Sequence, residues 1–292
     1  MKKNKILITG ASGFLGHSVS NLLSTNKKYE IIPIGRKIKH WNSKYIKKNL
    51  KFFDFKKNKI SKFGNLDTII HCAGLHGDDK NKWEEYYKNN VLITKNIIDS
   101  NNFKKLIFIS TFSVLSDKKK FRDLVDPCNN YGLSKYIAEK LIEYKSKIKN
   151  NTKFIIIRFP TIIGQNSKNN LIDYIYNQSK KGKKIEIYGN SNLKRNFIHV
   201  SNASETIKNT LEINRLNLNF QIYNAASSNS MKIKDMIDII NNKNISKSKI
   251  KIINKKTTYD FDVKIDIKKS IQSKILIPNS TKSNILKYIN EK

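Results

Sequence analysis

Tyr131 and Lys135 stand four residues apart in NYGLSKYIAEK, a spacing that on a helix puts both side chains on one face. A lysine ammonium beside a phenol stabilises the phenolate and lowers a pKa that is ordinarily about 10. The tyrosine can then exchange a proton with a substrate hydroxyl or carbonyl. Thr111, in LIFISTFSVLS at the carboxyl end of an apolar run, could hydrogen-bond the same oxygen. The Tyr-x-x-x-Lys spacing recurs at Tyr136/Lys140, Tyr176/Lys180 and Tyr288/Lys292, as a lysine-rich chain makes easy. Position separates them: Tyr131 follows the Pro127–Asn130 loop and opens its helix, whereas Tyr136 and Lys140 are turned about 140° around it.

A second chemistry is written in KILITGASGFLG, where Ile6–Ile8 forms a short apolar strand and glycines follow at 10, 13 and 16. A strand that must reverse within a few residues while its backbone approaches a pyrophosphate needs glycine for both tasks. The helix that follows offers unpaired N–H groups and a positive dipole end, so Gly10, Gly13 and Gly16 predict a dinucleotide site.

Further residues fit that cofactor. The second strand, YEIIPIGRK, ends in Gly35-Arg36-Lys37, where an NAD-preferring fold places an acid, and an arginine there suits a 2′-phosphate. The plain alternative is a surface arginine in a basic chain. Asp54 and Phe55 close an apolar run and could hold the adenine amine and ring, against the reading of an ordinary strand end. In TIIHCAGLHG, the small Ala73 and Gly74 let the backbone approach the cofactor's middle. His71 reads as a satisfied core histidine rather than a base, and His76 as a ligand contact.

The elements that must position these residues alternate. Apolar segments of strand length lie at 6–8, 30–34, 68–71, 105–109 and 154–158, with helix-like stretches at 16–25, 83–100 and 132–148 between them. The pattern predicts an α/β, Rossmann-like doubly wound parallel sheet, with ligands at the carboxyl ends of its strands. After Gly164 it changes. We expect a dinucleotide-binding domain over 1–165 with a returning element at about 196–224, and a smaller C-terminal substrate-binding lobe from 166–195 and 225–292. The Asn/Lys-rich stretch 241–256 reads as a mobile loop.

Composition bounds the partners. The 292 residues are 38% hydrophobic, enough for one large core or a core plus a smaller lobe. The net charge of +34 invites a nucleic-acid reading. However, the lysines are spread along the whole chain beside excess Asn and Ile, as A- and T-rich codons produce, without an arginine-rich or aromatic-interleaved face. A solvated lysine surface follows, and no nucleic-acid partner is expected. Cys72 and Cys128 have no metal-ligand spacing and read as free thiols, with no metal site. No export signal or membrane span is visible, so a cytoplasmic protein is expected.

TGASGFLG, HCAG, EEYYKNNV, STFSV, YGLSK, RFP, NNL and KRNFIHV occur in an order that resembles the extended branch of the short-chain dehydrogenase/reductase superfamily, over roughly residues 1–230. That branch contains nucleotide-sugar epimerases, dehydratases and 4-keto reductases. The resemblance implies NAD or NADP as cofactor, a nucleotide-sugar substrate and a homodimer as one arrangement. It implies Thr111 as the catalytic Ser/Thr, Tyr131 as acid/base, and Lys135 as its partner and a nicotinamide-ribose ligand. Gly10, Gly13, Phe14 and Leu15 match the pyrophosphate loop, Pro160 the nicotinamide packing residue, and Asn170 and Arg195 the contacts to the sugar's diphosphate. Phe112-Ser113 stands where 4,6-dehydratases carry Asp-Glu, which disfavours dehydration. Ser113 also replaces the cysteine of the GDP-fucose reductase-epimerases, and Lys255-Lys256 are the only cations near a missing second arginine. These features predict C4 epimerisation of a nucleotide sugar or, as alternatives, reduction of its 4-keto form by NADPH, or a silent dinucleotide-sensing or RNA-binding protein on the same fold.

Overall fold

The computed structural model describes residues 3–77, 81–115, 127, 129–213, 218–244, 248–253, 255 and 261–292. Six successive strands, β1 (Asn4–Thr9), β2 (Tyr29–Gly35), β3 (Lys51–Phe52), β4 (Leu66–His71), β5 (Phe103–Thr111) and β6 (Lys153–Phe159), join Phe220–Asn224 in a seven-stranded sheet. From one edge the order runs β3, β2, β1, β4, β5, β6, Phe220–Asn224. This is the doubly wound order, with its switch point between β1 and β4. β1 pairs in parallel with both β2 and β4, placing Ile8 beside Pro33 on one side and Ile70 on the other. Covered on both faces, such strands read as continuous apolar runs, as ILI, TIIH and FIIIRF do.

Helices supply the cover. Ile97, Ile98, Ala138 and Ile142 pack with Phe103, Phe108, Phe154 and Ile156 in one buried cluster. The helix Asn130–Ile148 starts where the Asn129 side chain accepts the Gly132 N–H at 2.7 Å, an N-cap of the kind that favours Asn. The expected helix over 83–100 is interrupted by a π turn at Tyr87–Leu92, a distortion frequent at functional sites.

The chain divides into two compact units, one of Met1–Arg158 and Ser204–Tyr223, the other of Phe159–Ala203 and Asn224–Lys292. The first break therefore falls seven residues before the 165 expected, and the returning element starts at 204 rather than 196. The reason is a pairing invisible in the pattern: Thr161–Ile163 and Phe197–His199 form a small parallel sheet of their own, which keeps both in the second unit. That unit buries Ile172, Ile175, Ile187, Ile237 and Tyr288 among others.

The reading of 241–256 as a mobile loop is corrected. A helix runs over Ile233–Lys243, and Ile250–Ile253 is a strand paired in parallel with Ile185–Tyr188. Composition suggested a loop, but Ile250 and Ile252 sit opposite Ile185 and Ile187 in that ladder. Residues 245–247, 254 and 256–260 lie outside the described residues, as does Cys128. Among the described residues no helix is long and apolar enough to cross a membrane.

Candidate functional site

Gly10 turns the chain after β1 with φ +68°, and a Cβ added there would lie 2.8 Å from the backbone of Ala73. The end of β1 thus presses on the turn after β4. An added Cβ at Gly16 would stand 2.3 Å from the Gly10 carbonyl oxygen, so the helix Phe14–Ser24 closes directly onto the glycine turn. Its N-cap, Gly13, has no side chain to bond the first N–H groups, and its first turn carries no acid. Those N–H groups and the helix dipole are left for an anion. The cradle fits a dinucleotide pyrophosphate.

Arg36 lies exposed just beyond the end of β2. Asp54 has a local job: its Oδ1 accepts the Lys56 N–H at 2.9 Å, and its carbonyl accepts from Lys57 and Asn58. Phe55 turns toward the core and packs edge-on to Phe53, ring centres 4.8 Å apart. Both therefore have structural roles that strand-end residues ordinarily carry.

His71 is fully buried between Thr9 Oγ1 at 2.8 Å and Thr94 Oγ1 at 3.0 Å. Thr94 gives its own proton to the Asn90 carbonyl, and Thr9 Oγ1 accepts from Ala73 N–H. This assigns Nε2–H as donor to Thr94 and leaves Nδ1 to accept from Thr9. Burial and the nearby Lys135 hold His71 well below the usual histidine range, so it is a neutral strut.

Past Gly74 the loop is clamped by a residue given no role by motif reading. Asn90, in the π turn, accepts the Leu75 N–H at 2.6 Å and donates to the Leu75 carbonyl at 3.2 Å and to Ser134 Oγ at 2.9 Å. Ser134 donates in turn to the Tyr131 carbonyl. His76, on the clamped loop, is exposed and stacks on the Tyr131 ring, centres 5.7 Å apart. Gly77 lies so close to Tyr131 that an added Cβ would be 3.2 Å from its ring.

Thr111 ends β5, and its hydroxyl caps the short turn Phe112–Val114 by accepting the Ser113 N–H at 3.2 Å. A Cβ added at Gly132 would fall 2.1 Å from the Ser113 carbonyl oxygen, so the turn after Thr111 abuts the residue after Tyr131. That close approach brings Thr111 and the helix start together.

The four Tyr-x-x-x-Lys pairs are now distinguishable. Lys140 is exposed and bound to Glu143 at 2.8 Å. Tyr288 and Lys292 are both committed to Asp173. Lys180 lies exposed over the Tyr176 ring. Lys135 alone of the four lysines is buried, 6% exposed, with its ammonium 4.2 Å from the centre of the Phe108 ring. Among the described residues it has no hydrogen-bond partner. Burial pulls this ammonium down to about 8, with the Glu139 carboxylate opposing. The Cys72 thiol is pushed up to about 12 by burial and stays protonated, hence unreactive.

Behind this pair lies a buried network that motif reading missed. Glu139, one helical turn beyond Lys135, takes Arg158 Nε at 3.0 Å and Nη2 at 2.6 Å, and the Ser110 hydroxyl at 2.5 Å. The signal was present: an arginine inside the apolar run FIIIRFP demands a buried anion.

The second unit holds Pro160, Asn170 and Arg195. Asn170 caps the helix Leu171–Lys180, accepting the Asp173 N–H at 3.0 Å and donating to Ser167 Oγ at 3.2 Å. Arg195 Nη1 donates to the Phe261 carbonyl at 2.7 Å and to Lys194 at 3.0 Å. Lys255 is exposed, and Lys256 lies outside the described residues. Among the described residues no His, Cys, Asp and Glu cluster is arranged to hold a metal ion.

Residues 6–226 match the NAD dependent epimerase/dehydratase family. The N-acetyl-alpha-D-glucosaminyl-diphospho-ditrans,octacis-undecaprenol 4-epimerase of Escherichia coli O157:H7 is 27% identical over 256 residues, spanning 80% of this chain and 70% of its own length. The dTDP-4-dehydro-6-deoxyglucose reductase of Escherichia coli is 25% identical over 264 residues, spanning 82% and 81%. Among solved structures, UDP-glucuronic acid 4-epimerase from Bacillus cereus, in complex with UDP-glucuronic acid and NAD, gives a TM-score of 0.86 at 21% identity over 98% of both chains. That likeness shows the fold.

Proposed function

This chain belongs to the NAD-dependent epimerase/dehydratase family, and we propose that within it the protein inverts C4 of a nucleotide-linked sugar. The observation that carries this reading is the Lys135 side chain, 6% exposed and without a hydrogen-bond partner among the described residues, one helical turn from Tyr131. With no protein acceptor, its three donors await a ligand that completes the shell. Ribose hydroxyls and a phenolate would do so.

In this reading Tyr131 takes and returns the proton on the sugar's O4, Lys135 favours its phenolate, and Thr111 aligns the same oxygen. The Gly10–Gly16 turn, with Phe14 and Leu15, would hold the pyrophosphate of the dinucleotide, and Ala73, Gly74 and His76 would flank its middle. When bound, the cofactor supplies hydride acceptance and return at C4. Within the second unit, Asn170 and Arg195 offer an amide and a guanidinium of the kind that charge-assisted bonds to a diphosphate use. The E. coli O157:H7 relative, itself a 4-epimerase of a diphosphate-linked sugar by name, supports the choice of reaction.

The test is incubation of nucleotide-hexoses with purified protein and no added dinucleotide. Product inverted at C4 over many turnovers is expected, because an epimerase keeps its cofactor through the cycle. Product formed solely from a 4-keto sugar, with one NADPH consumed per molecule, establishes the reductase instead.

Two observations favour that second reading: the exposed Arg36 beyond β2 and the reductase relative. If Arg36 binds a 2′-phosphate, Arg36→Ala weakens NADPH by about tenfold or more and leaves NADH little changed. Titration of reduced-nicotinamide fluorescence measures both affinities. Equal wild-type affinity for NADPH and NADH removes the 2′-phosphate role.

A further inference from the structure

Among the described residues, the buried Lys, Arg, Asp and Glu side chains number three, and all belong to one cluster: Lys135 at 6%, Glu139 at 3% and Arg158 at 8% exposure. Glu139 is held from two strands at once, by the Ser110 hydroxyl of β5 and by both Arg158 nitrogens of β6. Ser110 directly precedes Thr111, and Glu139 follows Lys135 by one turn of the same helix. The carboxylate therefore ties the strand end bearing Thr111 to the helix bearing Tyr131 and Lys135.

A buried ion pair of this kind is weak support for stability, since an apolar replacement of equal volume often does as well. Its placement suggests another use. We propose that Glu139 is a positioning residue for the Tyr131/Lys135 pair: its fixed charge keeps the Lys135 ammonium protonated, and that ammonium keeps the Tyr131 phenolate accessible. This rests on the acid/base reading of Tyr131 given above.

The groups around Lys135 show why the duty falls on Glu139. From the end of β4 it meets His71, which is neutral, and Cys72, whose thiol stays protonated. From β5 it meets the Phe108 ring. Its own helix offers Tyr131 and Glu139, and Arg158 of β6 reaches Glu139. Burial draws the lysine down and Glu139 is the largest opposing influence. With that charge removed, burial and an unpaired Arg158 both act against the ammonium.

The test is Glu139→Gln, read first without turnover. The tyrosinate absorbance of wild type minus Tyr131→Phe isolates the ionisation of Tyr131. The same subtraction in the Glu139→Gln background is expected to place it higher by about one pH unit or more, a tenfold change in ionisation constant. In the pH profile of kcat, the alkaline limb set by Lys135 moves down by a similar amount, and Glu139→Asp restores most of both. Because Glu139→Gln leaves Arg158 buried without a counter-charge, Glu139→Gln/Arg158→Met serves as the variant that keeps the fold, with a smaller shift in the same direction expected. Ser110→Ala, which removes a hydroxyl but no charge, leaves the Tyr131 step in place. A Tyr131 step unmoved in the folded single or double variant overturns the proposal. If the step moves but wild type turns over no nucleotide sugar, the positioning role stands and the epimerase reading fails. If wild type turns over substrate and the step does not move, this inference alone fails.

Discussion

Tyr131→Phe is expected to lower kcat by about 100-fold or more while leaving dinucleotide affinity within about twofold of wild type. The substitution deletes one oxygen. The ring stays against Gly77, with His76 stacked on it and Tyr86 at 6.1 Å, so the helix start and the clamped loop keep their packing. What disappears is the proton that must leave and return to the sugar oxygen at each hydride step. An interaction used solely in the transition state lowers kcat and kcat/KM together, whereas a lost binding contact raises KM. Tyr136→Phe is the internal control. It has the same spacing to a lysine, but Lys140 is exposed and held by Glu143, and that variant should turn over normally. Steady-state kinetics with calorimetric titration of NAD decide the matter. Near-normal turnover of Tyr131→Phe with an inactive Tyr136→Phe reverses the assignment.

What could be read from the chain and what could not divide along a physical line. The glycine turn was legible because its constraints are local: positive φ at Gly10 and crowding at Gly16 arise within seven residues of chain. The doubly wound order followed from alternation, since strands buried on both faces cannot hide their apolar runs. The Tyr131/Lys135 spacing has three copies in the chain; position at a helix start singles it out in the sequence, and burial of Lys135, a tertiary property, is what the structure adds. Asn90 and Glu139 act through partners 15 to 44 and 19 to 29 positions away, so no spacing rule could announce those contacts. The misreading of 241–256 has the same origin: Ile250 and Ile252 are strand residues because of Ile185 and Ile187, not because of their Lys and Asn neighbours. Asp54 shows the converse, a residue of suggestive type whose carboxylate is occupied in its own turn.

Gly16→Ala is expected to weaken dinucleotide binding at least about tenfold, near 1.4 kcal/mol, and to cost about 1–3 kcal/mol of stability. The reason is the missing Cβ, which would lie 2.3 Å from the Gly10 carbonyl oxygen and 2.8 Å from its carbon. Neither atom is the far end of a flexible side chain. Either the helix Phe14–Ser24 retreats from β1 or the Gly10 turn deforms, and Gly10 already packs so tightly on Ala73 that a Cβ there would lie 2.8 Å from its backbone. Both movements spoil the alignment of the uncapped N–H groups at Gly13 and beyond, which the pyrophosphate would require. General destabilisation must be separated from this local effect. Val19→Ala does so: Val19 is fully buried on the same helix, and its truncation opens a cavity costing about 1–3 kcal/mol without touching the turn. Urea unfolding gives the stability of each variant, and calorimetric titration of NAD, well below the unfolding midpoint, gives the affinity. The expected pattern is two variants of similar stability of which Gly16→Ala alone binds weakly; equal affinity in both shows that the turn does not hold the dinucleotide.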